Sequence, residues 1–247
     1  MDKKYALLIS VILTIIIASD TFLFSLINKD SDKEKVVVMR VIDGDTIQLE
    51  DGRIVRLLNI NSPEKGKPGS AESTSFLKQY ENSSIQIEIT GTDKYFRNLA
   101  RLYSPDYLNL LIVQDGFASK FLVDPSELKL FSNAEAKAIN NSYGIWKKSD
   151  YFGCFNSKID SKKEIVTISN TCNEINLSGW MLKDESRKIY VFKSSIKDKL
   201  IIHTGVGKDN ETDYFWNSNQ NIWNDDRDTL YLFDSEGKIV HSHDYGY

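Results

Sequence analysis

The chain reads as mainly β: a five-stranded barrel carrying three helices, then an immunoglobulin-like β-sandwich, with an N-terminal hydrophobic helix ahead of both. Three observations predict this. Apolar residues alternate in strand fashion through 36–60, broken at Asp43-Gly44 and Asp51-Gly52, the pair type that most strongly marks a hairpin. From residue 36 onward helical segments fall only between residues 70 and 141, and from Tyr151 short strands and polar turns alternate. A length of 247 residues, at about 100–200 per domain, accommodates two folded units. The expected division is 1–35 for a signal anchor or signal peptide with a short linker, 36–150 for the barrel, 151–163 for a linker and 164–247 for the sandwich.

At the N-terminus, Lys3 and Lys4 precede an apolar run from Tyr5 to Ala18; after Ser19-Asp20 a second run, Phe22–Ile27, leads into the charged stretch Asn28–Lys35. Residues 6–18 have the length of a signal-peptide core, and the 23 residues Tyr5–Ile27 are enough to span a hydrocarbon core of about 30 Å. Both readings place Val36 onward outside the cytoplasm, either anchored to the membrane through residues 5–27 or secreted.

In the barrel, Val36–Ile42, Thr46–Glu50 and Arg53–Ile60 form a three-strand meander. A helix starts near Ser70 with Phe76, Leu77 and Tyr80 on one face, Ile85–Ile89 alternates with Gln86 and Glu88 outward, and Leu99–Tyr103 supplies a fifth strand. Leu108–Asp115 is a helix stopped by Gly116. Pro125–Asn141 is another, with Asp124 as N-cap, Pro125 at N1, Glu127 at N3 and Gly144 past its end. Five strands with helices at an open side describe a small, partly open barrel of the OB kind. In the second unit the strands are Glu164–Ser169, Trp180–Lys183, Lys188–Phe192, Leu200–His203, Thr229–Phe233 and Lys238–His243, spaced as in an antiparallel sandwich of immunoglobulin size. The lysine-rich Ser157–Lys163 reads as the linker.

Charge limits the function. The net charge is −4, and residues 36–150 carry 14 Lys and Arg against 15 Asp and Glu. Proteins that grip nucleic acid through many phosphate contacts show a cationic surface, because displaced counterions provide most of that affinity. Any polyanion contact here is local. All three histidines, His203, His241 and His243, fall in the last 45 residues, and Cys154 and Cys172 are the only cysteines. Zinc fingers and histidine-driven catalysis before residue 150 are excluded, which leaves Asp, Glu, Lys, Arg or Tyr as acid and base in the first unit.

Within that unit Asp43-Gly44-Asp45 is a hairpin turn or a functional acidic pair. Arg56 shares strand parity with Ile54 and Leu58 while Val55 and Leu57 take the opposite face. A guanidinium flanked by apolar residues on both faces requires an anion, either a carboxylate or a bound phosphate. Just beyond lies Asn59-Ile60-Asn61-Ser62-Pro63-Glu64, where a carboxylate at a strand end, fixed by the proline before it, is well placed as a base.

The runs Val41-Ile42-Asp43-Gly44-Asp45-Thr46, Val55-Arg56-Leu57-Leu58, Ser62-Pro63-Glu64 and Thr92-Asp93-Lys94-Tyr95-Phe96-Arg97-Asn98-Leu99-Ala100, in that order, resemble the staphylococcal nuclease (thermonuclease) family. Gly116-Phe117-Ala118 and Gly144-Ile145-Trp146 extend the likeness over about residues 36–150. The resemblance implies a calcium-dependent OB-fold endonuclease that hydrolyses DNA or RNA with little sequence preference. By position it makes Asp45, Asn61 and the Ser62 carbonyl metal ligands, Glu64 the base, Arg56 and Arg97 phosphate clamps, and Asp43 a support behind Asp45. A hard cation beside carboxylates and arginines suits phosphoryl transfer. Asn61 stands where the family has an aspartate, so the implied ion is Ca2+ held more weakly, or another divalent ion. Phe96 and Asn98 replace the glycines that flank the second arginine, which makes Arg101 a fallback clamp. The alternative is a non-catalytic nucleic-acid-binding module, to which Asn61 points, or a cell-surface interaction module, which would require Arg56 and Arg97 to be paired internally with carboxylates such as Asp45 and Glu64.

Val166-Thr167-Ile168-Ser169-Asn170, Ile175 through Leu182 with its Leu-Ser-Gly-Trp, and Ile222 through Asp234 resemble the lamin-tail family. That implies an immunoglobulin-like domain for binding or tethering an unknown partner, with no catalytic residues. Asp225, Asp226 and Asp228 are a solvated loop or a calcium site, and His241 and His243 share one strand face. In an exported chain Cys154 and Cys172 are a candidate disulfide between the domains, against two free buried thiols.

Overall fold

A computed structural model describes residues 33–247. The hydrophobic helix expected over residues 5–27, and with it the choice between anchor and signal peptide, lies outside the described residues. Among those residues no helix is long and apolar enough to cross a membrane.

The first unit runs β1 (Glu34–Val41), β2 (Thr46–Leu49), β3 (Ile54–Leu57), β4 (Ile60–Asn61), α1 (Ser70–Lys78), β5 (Ser84–Thr92), β6 (Asn98–Tyr103), α2 (Leu108–Gln114), β7 (Ser119–Lys120) and α3 (Leu128–Asn140). Strands β1-β2-β3-β6-β5 form a closed barrel rather than the partly open one expected. Closure comes from a parallel pairing of β3 with β6, Arg56 opposite Leu99, and from β5 returning to β1. A register shift in β1 between Val38 and Arg40 turns Val41 into the core and leaves Arg40 in solvent. The interior is filled by Val38, Ile47, Leu49, Val55, Leu57, Ile87 and Leu102, and α2 covers one end with Leu108, Ile112 and Val113.

Helix α3 starts at Leu128, later than the expected Pro125. Asp124 does not cap it. Its carboxylate instead accepts from Ser126 N and Oγ in a preceding turn, and the Glu127 carboxylate is drawn to Asn59 and Arg101 rather than back to a helix N–H.

The second unit contains β8 (Phe155–Asp160), β9 (Ile165–Asn170), β10 (Ile175–Asn176), β11 (Met181–Lys183), β12 (Ile189–Val191), β13 (Ser195–Ile196), β14 (Lys199–His203), β15 (Asp213–Phe215), β16 (Asp228–Phe233) and β17 (Ile239–Tyr245). Two four-stranded sheets, β12-β11-β16-β17 and β15-β14-β9-β8, share one core of Val166, Ile168, Leu182, Leu200, Ile202, Leu230, Leu232 and Val240 around Trp180 and Trp223. The linker expected over 151–163 is corrected: six of its residues are β8, an edge strand paired along its whole length with β9. Its lysine-rich look reflects an edge strand with one wet face. The cysteines are bonded, Cys154 to Cys172, but within this unit and not between the two domains, because β8 belongs to it.

The two units share a third core in which Trp146 stacks on Tyr231 at 5.4 Å between ring centres and packs with Ala138, Ile139 and Ile239. Beside it the buried Lys120 ammonium meets Glu135 at 2.6 Å, the Tyr231 hydroxyl donates to the same carboxylate at 2.9 Å, and Asp244 lies 3.4 Å from the ammonium. Arg227 donates to Val123 O at 2.9 Å and Leu122 N to Glu185 at 2.8 Å. The interface is therefore apolar in part and a satisfied polar network in part.

Candidate active site

The turn between β1 and β2 is shaped by its own carboxylate: Asp43 Oδ1 accepts from Asp45 N at 3.0 Å, which holds Asp43-Gly44-Asp45 folded. Gly44 presses against α1, where a Cβ would stand 2.0 Å from Ser73 Oγ, so no larger residue fits. Asp45 is thereby turned inward. Its Oδ1 accepts from Thr46 Oγ1, and its Oδ2 accepts from Ser62 N and Oγ, each at 2.9 Å, and faces Arg56 Nη2 at 3.2 Å. Burial raises the Asp45 pKa, but the Arg56 charge and the Ser62 donors outweigh it and hold the carboxyl below its ordinary value. Asp43, with burial and the neighbouring Asp45 charge against it, is raised.

Arg56 has the anion its position on β3 demanded, and more. Its Nη1 donates to Leu57 O at 2.7 Å and its Nη2 to Ile60 O at 2.9 Å and to Asn61 Oδ1 at 3.2 Å. One side chain thus fixes the loop that leads to Glu64. The short β4–β7 ladder, Asn61 opposite Ser119, and the left-handed Asn59 anchored to Glu127 and Asp124 hold the same loop from outside. Ser62 is buried, whereas the Glu64 side chain, 69% exposed, reaches solvent at the rim.

Arg97 ends a turn built on Asp93, whose Oδ1 accepts from Tyr95 N and Arg97 N and whose Oδ2 accepts from Arg97 Nε at 2.8 Å. Phe96 adopts φ 64°, a left-handed conformation costly for a bulky residue, so the turn keeps the form that glycine would take without strain. Arg97 lies close enough to Arg56 for its charge to weigh on it. The structure therefore brings Asp43, Asp45, Arg56, Asn61, Ser62 and Glu64 together, with Arg97 beside them. It also pairs both arginines internally, Arg56 with Asp45 and Arg97 with Asp93.

Arg187, a residue the sequence reading did not single out, completes the cluster. It stands at φ 74° in the turn between β11 and β12 of the second unit. Its Nη1 donates to Glu64 Oε1, and its Nη2 donates to Asn61 Oδ1 and to the Ser62 carbonyl. No signal in the sequence pointed to it, because an arginine in a polar turn 123 positions from Glu64 is indistinguishable from a solvated one.

The other candidates resolve into structure. Arg101 is enclosed by Glu88, Asp124 and Glu127. Asp228 is buried and its carboxylate caps Asn224 N, Glu185 N and Thr229 N. His241 Nε2 and His243 Nδ1 both meet the Ser157 hydroxyl, at 3.0 and 2.8 Å.

Asp45, Asn61, Ser62 and Glu64 present only oxygen, the donor that Ca2+ and Mg2+ take, and the Arg187 guanidinium already stands as a cation against three of them. The donor chemistry fits a hard divalent ion. Two carboxylates are few, and among the described residues no three His, Cys, Asp or Glu are placed to hold one ion together, so water would have to complete the ion's shell.

Residues 54–148 match the family of staphylococcal nuclease homologues and residues 154–247 the lamin tail domain. An uncharacterized endonuclease of Escherichia coli O157:H7 is 32% identical over 122 residues, covering 46% of this chain and 77% of its own length. The thermonuclease of Staphylococcus intermedius is 30% identical over 161 residues, 56% of this chain and 96% of its own. Endonuclease YhcR of Bacillus subtilis is 26% identical over 139 residues, 46% of this chain and 11% of its own. The chain belongs to the staphylococcal nuclease family and carries a lamin tail domain after the nuclease domain.

Proposed function

We propose that this protein is an exported, metal-dependent endonuclease that hydrolyses phosphodiester bonds of DNA or RNA with little sequence preference, and that its lamin-tail domain, with its two sheets in an immunoglobulin-like sandwich, binds or tethers a partner. The observation that carries the reading is the convergence of the Asp45, Asn61, Ser62 and Glu64 oxygens beside Arg56 and Arg97. Glu64, on an exposed loop held by Pro63 and Arg56, accepts a proton from the attacking water. Arg97, at the surface, meets a phosphate oxygen while Arg56 keeps Asp45 and Asn61 in place. A divalent ion held by Asp45, Asn61 Oδ1 and Ser62 O, Ca2+ by family likeness, would supply charge neutralisation at the phosphoryl group. The Cys154–Cys172 bond supports an oxidising compartment, in keeping with display at the membrane through residues 5–27 or secretion.

The neutral Asn61, standing among the oxygens placed to hold an ion, favours a second reading, a nucleic-acid-binding module that does not cut. Hydrolysis of single-stranded and duplex DNA by the full chain with Ca2+, Mg2+ or EDTA separates the two. Metal-dependent cutting that falls by about 10²–10⁴ in Glu64→Gln, and steeply in Arg97→Ala, is expected of the nuclease. Binding with no cutting under any ion gives the second reading.

A further inference from the structure

The nuclease centre contains a cation that its own domain does not supply. We propose that Arg187 of the lamin-tail domain is a tethered competitor of the divalent ion: guanidinium and metal use the same oxygens, so the ion enters only when the β11–β12 turn withdraws. This rests on the metal-dependent reading above.

Three observations carry it. Arg187 donates to Glu64, Asn61 and the Ser62 carbonyl, which are the base and two of the three groups placed to hold an ion. The turn that presents it is built on both sides of the domain boundary. Asp184, buried, accepts from Lys188 N at 2.6 Å and from Ser186 Oγ, while Glu185, also buried, accepts from Leu122 N of the nuclease domain at 2.8 Å. Arg187 itself holds a left-handed backbone that a non-glycine residue adopts only where its surroundings enforce it.

A protein whose competent state is populated to a small fraction binds its ligand more weakly by that fraction. Calcium binding to the full-length chain in detergent, followed calorimetrically, is compared with Arg187→Met and with Arg187→Lys, each checked for an unchanged circular dichroism spectrum. Arg187→Met should tighten binding at least tenfold, with Arg187→Lys between it and the wild type. In wild type carrying 15N-arginine, added Ca2+ should shift the Arg187 Nε–H resonance, a readout that needs no variant. Unchanged or weaker binding in Arg187→Met, or metal binding that leaves that resonance unmoved, overturns the proposal. Weaker binding together with slower cutting would make Arg187 a third phosphate clamp. If neither wild type nor Arg187→Met binds Ca2+ or Mg2+, the metal-dependent reading itself falls and the competitor falls with it. Equal binding by both overturns the competitor alone.

Discussion

Asp45 and Arg56 depend on each other at the residue scale. Removing one member of a buried ion pair leaves an uncompensated charge, at about 3–5 kcal/mol. Arg56→Met is therefore expected to lower the unfolding free energy measured in urea by that order and to abolish cutting, since Ser62 and Glu64 lose the guanidinium that holds their loop. Retained stability in urea would mean that Asp45 takes up a proton or water instead. Arg56 was legible in the sequence because strand parity places an arginine among apolar neighbours, and Asp45 because the run around it resembles a known family. Arg187 was not legible, since its contacts are made only by folding. A second residue-scale outcome concerns His241. Burial, with His243 beside it, depresses its pKa to about 4, below the ordinary value near 6.5. The unfolded chain then binds the proton more readily. Stability is whole above pH 6.5 and declines as pH falls towards 4, by no more than about 2 kcal/mol because the ring is partly exposed. Unfolding of His241→Gln in urea between pH 7 and pH 4.5 should show that slope flattened.

Single elements show where periodicity suffices and where it does not. Strands β1 to β3 follow from alternation and two Asp-Gly turns, and α1 and α2 from their apolar faces. The start of α3 did not follow, because Asp124 and Glu127 have tertiary partners that outbid a local cap. The strands β10, β13 and β15 are two or three residues long and carry no period. β8 resembles a linker in sequence because its outward residues are polar. That strand is also tied by the disulfide, which closes a loop of 18 residues. Such a loop contributes about 3 kcal/mol by restricting the unfolded chain. Reduction, or Cys154→Ser with Cys172→Ser, is expected to lower the unfolding free energy of the lamin-tail domain in urea by that order. Coincident curves with and without reductant would contradict it.

For the whole molecule, the interface decides whether two domains behave as one. Lys120 and Glu135 belong to the nuclease domain, yet the Tyr231 hydroxyl and Asp244 complete their network from the other side. None of this could be read from spacing, since the four groups are scattered over 125 residues with no period. Calorimetry of the wild type is expected to give a single transition. Glu135→Gln removes the partner of a buried ammonium, at about 3–5 kcal/mol, and is expected to lower that transition and to split it. Two transitions in the wild type would show the units to be energetically separate.

The β11–β12 turn also has a consequence for heredity. A tail domain that places a side chain on its neighbour's reactive groups is not a freely exchangeable cassette. Recombination that swaps it for another lamin tail alters the enzyme as surely as a point mutation at Glu64 would. Positions 61 and 187 should accordingly drift together among descendants of this gene, with an acid at 61 wherever 187 has ceased to be arginine.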